Sequence, residues 1–399
     1  MAGLFHDWMA GPSHGKCHPM NFGGCQKSSS AWGGVLLTLV AGGAWATDAV
    51  GPADIETVLT AFTRSEFQME FRQGVAELPG VLAIADIGRA RLYMVRSRDE
   101  NGAVVDQAPK EFSYLLDALV FDPATYPAFA GPAADILAQL GDGEIVLGET
   151  SAKVRGLGPG STLEMADGTT HTVRAIVDDG MIQNREMALA VADLAGGEGP
   201  TRGYLLVRYL GPLETVEDLF QTFLPEETSV RLRSTEPSEF LPSPAAILPQ
   251  AQMKLALGEF AFRPTDGRYI ERDRVWVQEN LINAVIPLLG RVRCHAVLVP
   301  ALQGAMQEVI NANLAFLISP EAFQGCDNPR LIAEGRGFSR HAWGGAVDIN
   351  YSSDATIRAN GADPRLVAIM ERWGFTSGHL WNNPDPGHFE YIGPPQPEG

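Results

Sequence analysis

SRHAWGGAVDIN (Ser339–Asn350) and DPGHFE (Asp385–Glu390) are the two stretches that decide how this chain is read. Together they supply two imidazoles and several carboxylates within short, turn-rich segments. His341 and His388 offer ring nitrogens, and Asp348 offers a carboxylate oxygen. Two nitrogens and one oxygen suit Zn²⁺, and three protein ligands leave a fourth coordination position open. Ala346, Asp348 and Asn350 share one face of an alternating, strand-like run, and His388 and Glu390 share a face of another. Gly344 and Gly345 let the backbone turn between His341 and the first run. Asp385 stands three residues before His388 across a Pro-Gly turn, which suits a general base held beside a metal without ligating it.

Outward from these segments, residues 251–399 read as one domain. Trp276–Leu289, Leu302–Leu317 and Pro364–Trp373 have helical periodicity, the last with Asp363 as N-cap and Gly374 just past its end. GGAVDINY and GHFEYI read as strands. Upstream, EPSEFLPSPAAILP (236–249) carries four prolines and no clear periodicity, so residues 236–250 are expected to be a linker.

Residues 50–235 mix both periodicities. A helix is expected within 53–78, followed by strands at VLAIADI, ARLYMV and YLLDALVF. Short strands and turns follow over 144–178, with Gly158-Pro159-Gly160 and Asp167-Gly168 as turn signals. Helices at Glu186–Leu194 and Thr215–Phe223 and strands at GYLLVRYL and SVRLRS complete an α+β pattern. No catalytic constellation is visible in this part, which reads as a binding or spacer module.

The chain has 399 residues, enough for two globular parts plus extensions. Its 45% hydrophobic and 20% charged residues are those of a globular protein with a sizeable core. A formal charge of −18 argues against a nucleic-acid partner and against an electrostatic grip on anionic membranes. AWGGVLLTLVAGGAWA (31–46) has a short apolar run, and Ala44-Trp45-Ala46 fits a signal-cleavage pattern. Residues 1–46 are therefore expected to be a signal or targeting segment, with an uncleaved membrane anchor as the alternative and Met20 as a possible start. Cys17 and Cys25 lie in that segment. Cys294 and Cys326 remain, as a disulfide or as two buried thiols.

SRHAWGGAVD resembles the SxHxxGxAxD motif of zinc D-alanyl-D-alanine carboxypeptidases of the VanX/VanY type, and DPGH resembles their downstream [DE]xxH motif. The wider run CDNPRLIAEGRGFSRHAWGGAVDIN is similar to the branch that contains L-Ala-D-Glu endopeptidases. The resemblance spans most of residues 255–393. It implies a hedgehog-like fold with a small antiparallel sheet and flanking helices, and one zinc ion held by His341, Asp348 and His388. It also implies Asp385 as the catalytic base, Ser339 as an outer hydrogen bonder, and peptidoglycan peptides as substrate for an exported enzyme. An upstream arginine of the family is missing from VLVPALQGAMQ; Arg330 is the substitute candidate for oxyanion or carboxylate binding, with Arg336 behind it. The stretch LGETSAKVRGLGPGSTLEMADGTTHTVRAIVDD resembles the extracytoplasmic domain of FtsX/MacB-type permeases. Two residues keep two readings open. His379 lines the pocket or faces solvent, and Glu390 bonds a ligand histidine or sits exposed on an edge strand. Trp343, Trp373 and Trp381 are expected in the core or the pocket wall. A zinc-containing but non-catalytic wall-binding or permease-associated protein is the alternative function.

Overall fold

A computed structural model describes residues 56–62, 67, 69–194, 203–211, 231–234, 247–332, 337–381 and 384–395. The expected signal segment, Arg336, most of the Pro-rich stretch and the expected helix at 215–223 lie outside these residues.

The first ten strands are β1 (Glu56–Phe62), β2 (Val81–Arg98), β3 (Val104–Gln107), β4 (Tyr114–Phe121), β5 (Glu144–Gly148), β6 (Thr162–Met165), β7 (Thr170–Val177), β8 (Met187–Ala190), β9 (Gly203–Leu210) and β10 (Arg231–Ser234). They pair in the order β10-β1-β9-β2-β4-β8-β5-β7-β6, and β6 returns to pair with β2. Six strands therefore close on themselves around Met94, Leu116, Val120, Ile145, Leu147, Leu163, Val173 and Leu189. Register shifts along the 18-residue β2 let one strand serve several neighbours.

Three helical expectations are corrected here. Residues 56–62 form β1, which pairs with both β9 and β10, and among the described residues of that stretch only Met69–Ala76 is helical. Residues 187–190 form β8, buried at every position between β4 and β5. The helix that opens at Arg274 ends at Asn280, and Leu281–Ile286 is instead β13, in a hairpin with β14 (Gly290–His295). β8 is short and fully buried and so shows no alternation, and its apolar spacing reads equally well as a helix face.

The C-terminal part begins with the helix Gln250–Leu257, then β11 (Phe262–Pro264) and β12 (Ile270–Arg272). Asp273 caps the next helix by accepting from the Trp276 amide. The helix Leu298–Asn311 buries Leu298, Leu302, Ala305, Met306 and Val309, at helical spacing, on one face. That face packs in the same core as Trp343, Val347, Leu366, Met370, Phe375 and Phe389. A three-stranded antiparallel sheet, β15 (Ala346–Asp348), β17 (His388–Tyr391) and β16 (Phe375–Ser377) in that order, carries the site. The helix Pro364–Arg372 precedes β16, capped by Asp363 as expected. Cys294 and Cys326 pair as a disulfide, which closes the alternative left by the sequence.

All described residues lie in one compact unit, Val50–Gly399. Ser113 and Phe262 exchange backbone hydrogen bonds of 2.9 and 2.8 Å, and Leu115 of β4 belongs to the C-terminal core. Arg155, Glu186, Lys254 and Glu259 form a buried quartet drawn from both parts of the chain. Lys254 Nζ lies 2.7 Å from Glu186 and 2.6 Å from Glu259, and Arg155 reaches both carboxylates as well. Two positive and two negative charges balance, as buried charges must.

Candidate metal centre

His341 lies in the 3₁₀ turn Arg340–Trp343, which Gly344 ends in a left-handed conformation (φ +64°). A Cβ there would sit 2.9 Å from the His295 amide nitrogen, so the turn needs glycine. Asp348 ends β15 and faces His388, the first residue of β17, in register. Ligand atoms of His341, Asp348 and His388 all lie within 4.8 Å of one another. Asp348 Oδ1 is 2.7 Å from His388 Nδ1, and Oδ2 is 3.2 Å from His341 Nε2.

The opposite ring nitrogens are fixed by other partners. His341 Nδ1 is 3.0 Å from the Cys326 carbonyl, which can only accept, so Nδ1 carries the proton and Nε2 presents a lone pair. His388 Nε2 donates to Glu390 Oε1 at 3.2 Å, which turns Nδ1 towards the centre. Glu390 is itself buried, with Arg340 Nε 3.5 Å from its other oxygen. It bonds a candidate ligand and lies on the central strand, not on an edge. His341 Nε2 is buried and, despite its closeness to Asp348, makes no hydrogen bond of acceptable geometry. An orphaned imidazole nitrogen, a second imidazole and a carboxylate converging on one point fit a divalent cation of the zinc class.

Charge is tuned around this point. Burial disfavours the Asp348 carboxylate, but the imidazoles of His341 and His388 beside it outweigh that and hold its pKa below the usual range. Burial likewise opposes a charged His388, yet its bonds to Asp348 and Glu390 push its pKa up to about 9 without metal. Asp385 is half-buried on the turn before β17, its amide donating to the Gly378 carbonyl at 3.0 Å. Burial and repulsion from Asp348 raise its pKa, against the pull of His388, His341 and Arg330. It stands outside the three-ligand cluster but within its electrostatic reach.

Arg330 faces Tyr269 across an isolated bridge, and its carbonyl accepts from the Ser339 amide at 3.0 Å. Its Nη1 is buried without a hydrogen-bond partner, and the charges of Asp348 and Asp385 reach it. Ser339 makes that backbone link and no side-chain cap bond. His379 is half-buried, with Nδ1 2.9 Å from Ser377 Oγ. The Trp381 ring lies 5.0 Å from the His388 ring, as a pocket-wall residue would. Trp343 is fully buried in the core, and Trp373 donates to Glu308 at 2.7 Å. Sequence reasoning missed the Cys326 carbonyl, because a backbone atom leaves no residue-type signal.

Residues 333–391 match a family model described as D-alanyl-D-alanine carboxypeptidase. The periplasmic region of MacB from Actinobacillus actinomycetemcomitans is similar at 12% identity and a TM-score of 0.30, over 46% of this chain and 92% of that one. The extracellular domain of the noncanonic ABC-type transporter YknZ from Gram-positive bacteria is similar at 13% identity and a TM-score of 0.29, over 44% of this chain and 99% of that one. No curated protein matches the chain. Among the described residues, no helix is long and apolar enough to cross a membrane. The stretch that holds His341, Asp348, His388 and Asp385 is thus similar to the D-alanyl-D-alanine carboxypeptidase family.

Proposed function

We propose that this chain is a zinc-dependent peptidase that hydrolyses peptide stems of the bacterial cell wall. The observation that carries the reading is the convergence of His341 Nε2, His388 Nδ1 and the Asp348 carboxylate, with Asp385 beside them. Bound zinc supplies Lewis-acid polarisation of the scissile carbonyl and acidifies water. The protein's own residues do the rest. Cys326 and Glu390 set the two ring orientations, so the donors are preorganised. Asp385 takes the proton of the attacking water and passes it to the leaving amine; a carboxyl raised above its ordinary pKa does this better than an unperturbed one. Arg330 has a buried, unpaired donor suited to a developing oxyanion or a substrate carboxylate.

Two bonds are candidates, the terminal D-Ala-D-Ala bond and the L-Ala-D-Glu bond within the stem. The HAWG and DPGHFE sequences favour the second. A base poised at the centre also favours catalysis over a silent zinc protein. Wall peptides lie outside the cytoplasm, which agrees with the expected export segment, and residues 50–235 serve as a spacer or binding module. Incubating purified wall fragments with the protein and weighing the products tests this: free D-Ala marks a carboxypeptidase, and released stem peptides lacking L-Ala mark an endopeptidase. Unchanged fragments contradict both.

A further inference from the structure

The segment Gln324–Asn328 contributes no metal ligand, yet it touches both segments that do. The Gln324 amide donates to the Asp348 carbonyl at 3.0 Å, and Gly325 faces Asp348 across an isolated antiparallel bridge. The Cys326 carbonyl accepts from His341 Nδ1 at 3.0 Å, and the Asn328 amide donates to the His341 carbonyl at 3.1 Å. Five consecutive residues thus hold His341 and Asp348 in mutual position. The segment has no helix or strand of its own to stiffen it. Two tethers do so instead. Asp327 accepts from Arg272 at 2.7 Å, and Arg272 also donates to the Ala342 carbonyl at 2.8 Å. Cys326, the residue whose carbonyl orients His341, is cross-linked to Cys294 of β14, and both are fully buried.

We propose that the Cys294–Cys326 disulfide is a positioning element of the metal centre: it fixes the Cys326 carbonyl and through it the ring of His341. The inference rests on the metal-centre reading above. A side-chain ion pair at Asp327 holds a carboxylate one residue along, whereas a disulfide constrains the Cα and Cβ of Cys326 directly. Opening the cross-link leaves all three ligands in the chain but lets the carbonyl turn away. His341 then loses the partner that selects its tautomer and ring angle. Losing such an outer partner typically weakens metal binding by about 10–100-fold.

The test uses the full, oxidised chain and the Cys294→Ser/Cys326→Ser variant. Zinc affinity is read by competition with a chromophoric chelator, and the Co²⁺-substituted centre by its visible absorption. The variant is expected to keep its far-UV circular dichroism, to bind zinc about 10–100-fold more weakly and to show an altered Co²⁺ spectrum. A folded variant with unchanged affinity and spectrum overturns the inference while leaving the metal centre standing. An oxidised parent that binds no metal overturns the centre itself, and the inference with it. Should the variant not fold, the parent is reduced stepwise with a phosphine, each disulfide yielding two thiols as the phosphine becomes its oxide. Metal is expected to leave as the first thiols appear, before near-UV circular dichroism collapses, and to return on reoxidation. Metal retained until global unfolding contradicts the proposal.

Discussion

The Ile349 amide donates to the Gly387 carbonyl over 2.8 Å, joining the two ligand segments one residue from Asp348 and one residue from His388. Gly387 has φ +90°, and a Cβ on it would lie 1.9 Å from the Ile349 carbonyl oxygen. Only glycine allows this approach. Gly387→Ala is expected to push β17 away from β15 and to lose the bound metal. Backbone strain of this kind costs about 1–3 kcal/mol, so thermal unfolding should move down as well. Metal content and melting temperature check both; a variant equal to the parent in each contradicts the packing described.

In the proposed mechanism Asp385 moves protons without holding the ion. Asp385→Asn should therefore retain metal while turnover of wall peptides falls about 10²–10⁴-fold, the usual contribution of a positioned acid–base group. Parallel measurement of metal content and turnover separates this from a ligand defect. A variant that works at the parental rate removes Asp385 from the mechanism.

The metal-free protein should have a distinctive pH dependence. His388 rises from an ordinary 6.5 to about 9 on folding, so it binds its proton more tightly in the folded state. Its contribution is fully present below pH 6.5 and is lost as pH climbs through about 9. Asp348 is shifted the other way, so its contribution is present above its ordinary 3.8 and disappears on further acidification. Denaturant unfolding of the metal-free chain is expected to give greatest stability between those limits and a decline from neutral to alkaline pH. Zinc takes the place of the His388 proton, so the alkaline decline should vanish in the loaded protein. A metal-free stability that rises from pH 6.5 to 9 contradicts the His388–Asp348–Glu390 arrangement.

Lys254, itself buried, bonds the buried Glu186 and the partly buried Glu259. Lys254→Ala leaves the carboxylates of Glu186 and Glu259 with Arg155 as their shared cation, and removing one partner of a buried ion pair costs about 3–5 kcal/mol. Because the quartet draws on both parts of the chain, the parent is expected to unfold in one transition and the variant in one transition at lower temperature. Calorimetry showing two independent transitions, of which only one moves, contradicts a shared unit.

The site was more legible than the scaffold, for physical reasons. His341, Asp348 and His388 sit in two short segments whose glycines and alternation already suggest a turn and a strand, and the pairing of β15 with β17 brings them together. β8 and β13 escaped because MALA and LINAVI are brief apolar runs whose spacing suits a helix face as well as a strand. β1 escaped because its apolar spacing continues into the true helix that follows. Glu390 was ambiguous because its burial depends on β16 pairing on the far side of β17, a long-range event. The disulfide stayed open because only folding brings Cys294 and Cys326 to a Cα separation of 5.0 Å. The buried quartet could not be read at all, since its members are spread from residue 155 to residue 259.

The most direct test is elemental analysis of the purified full chain beside its His341→Ala variant, both folded by circular dichroism. One zinc per chain is expected in the parent and none in the variant. A parent without stoichiometric metal, or a variant that keeps it, contradicts the centre on which the proposed chemistry depends.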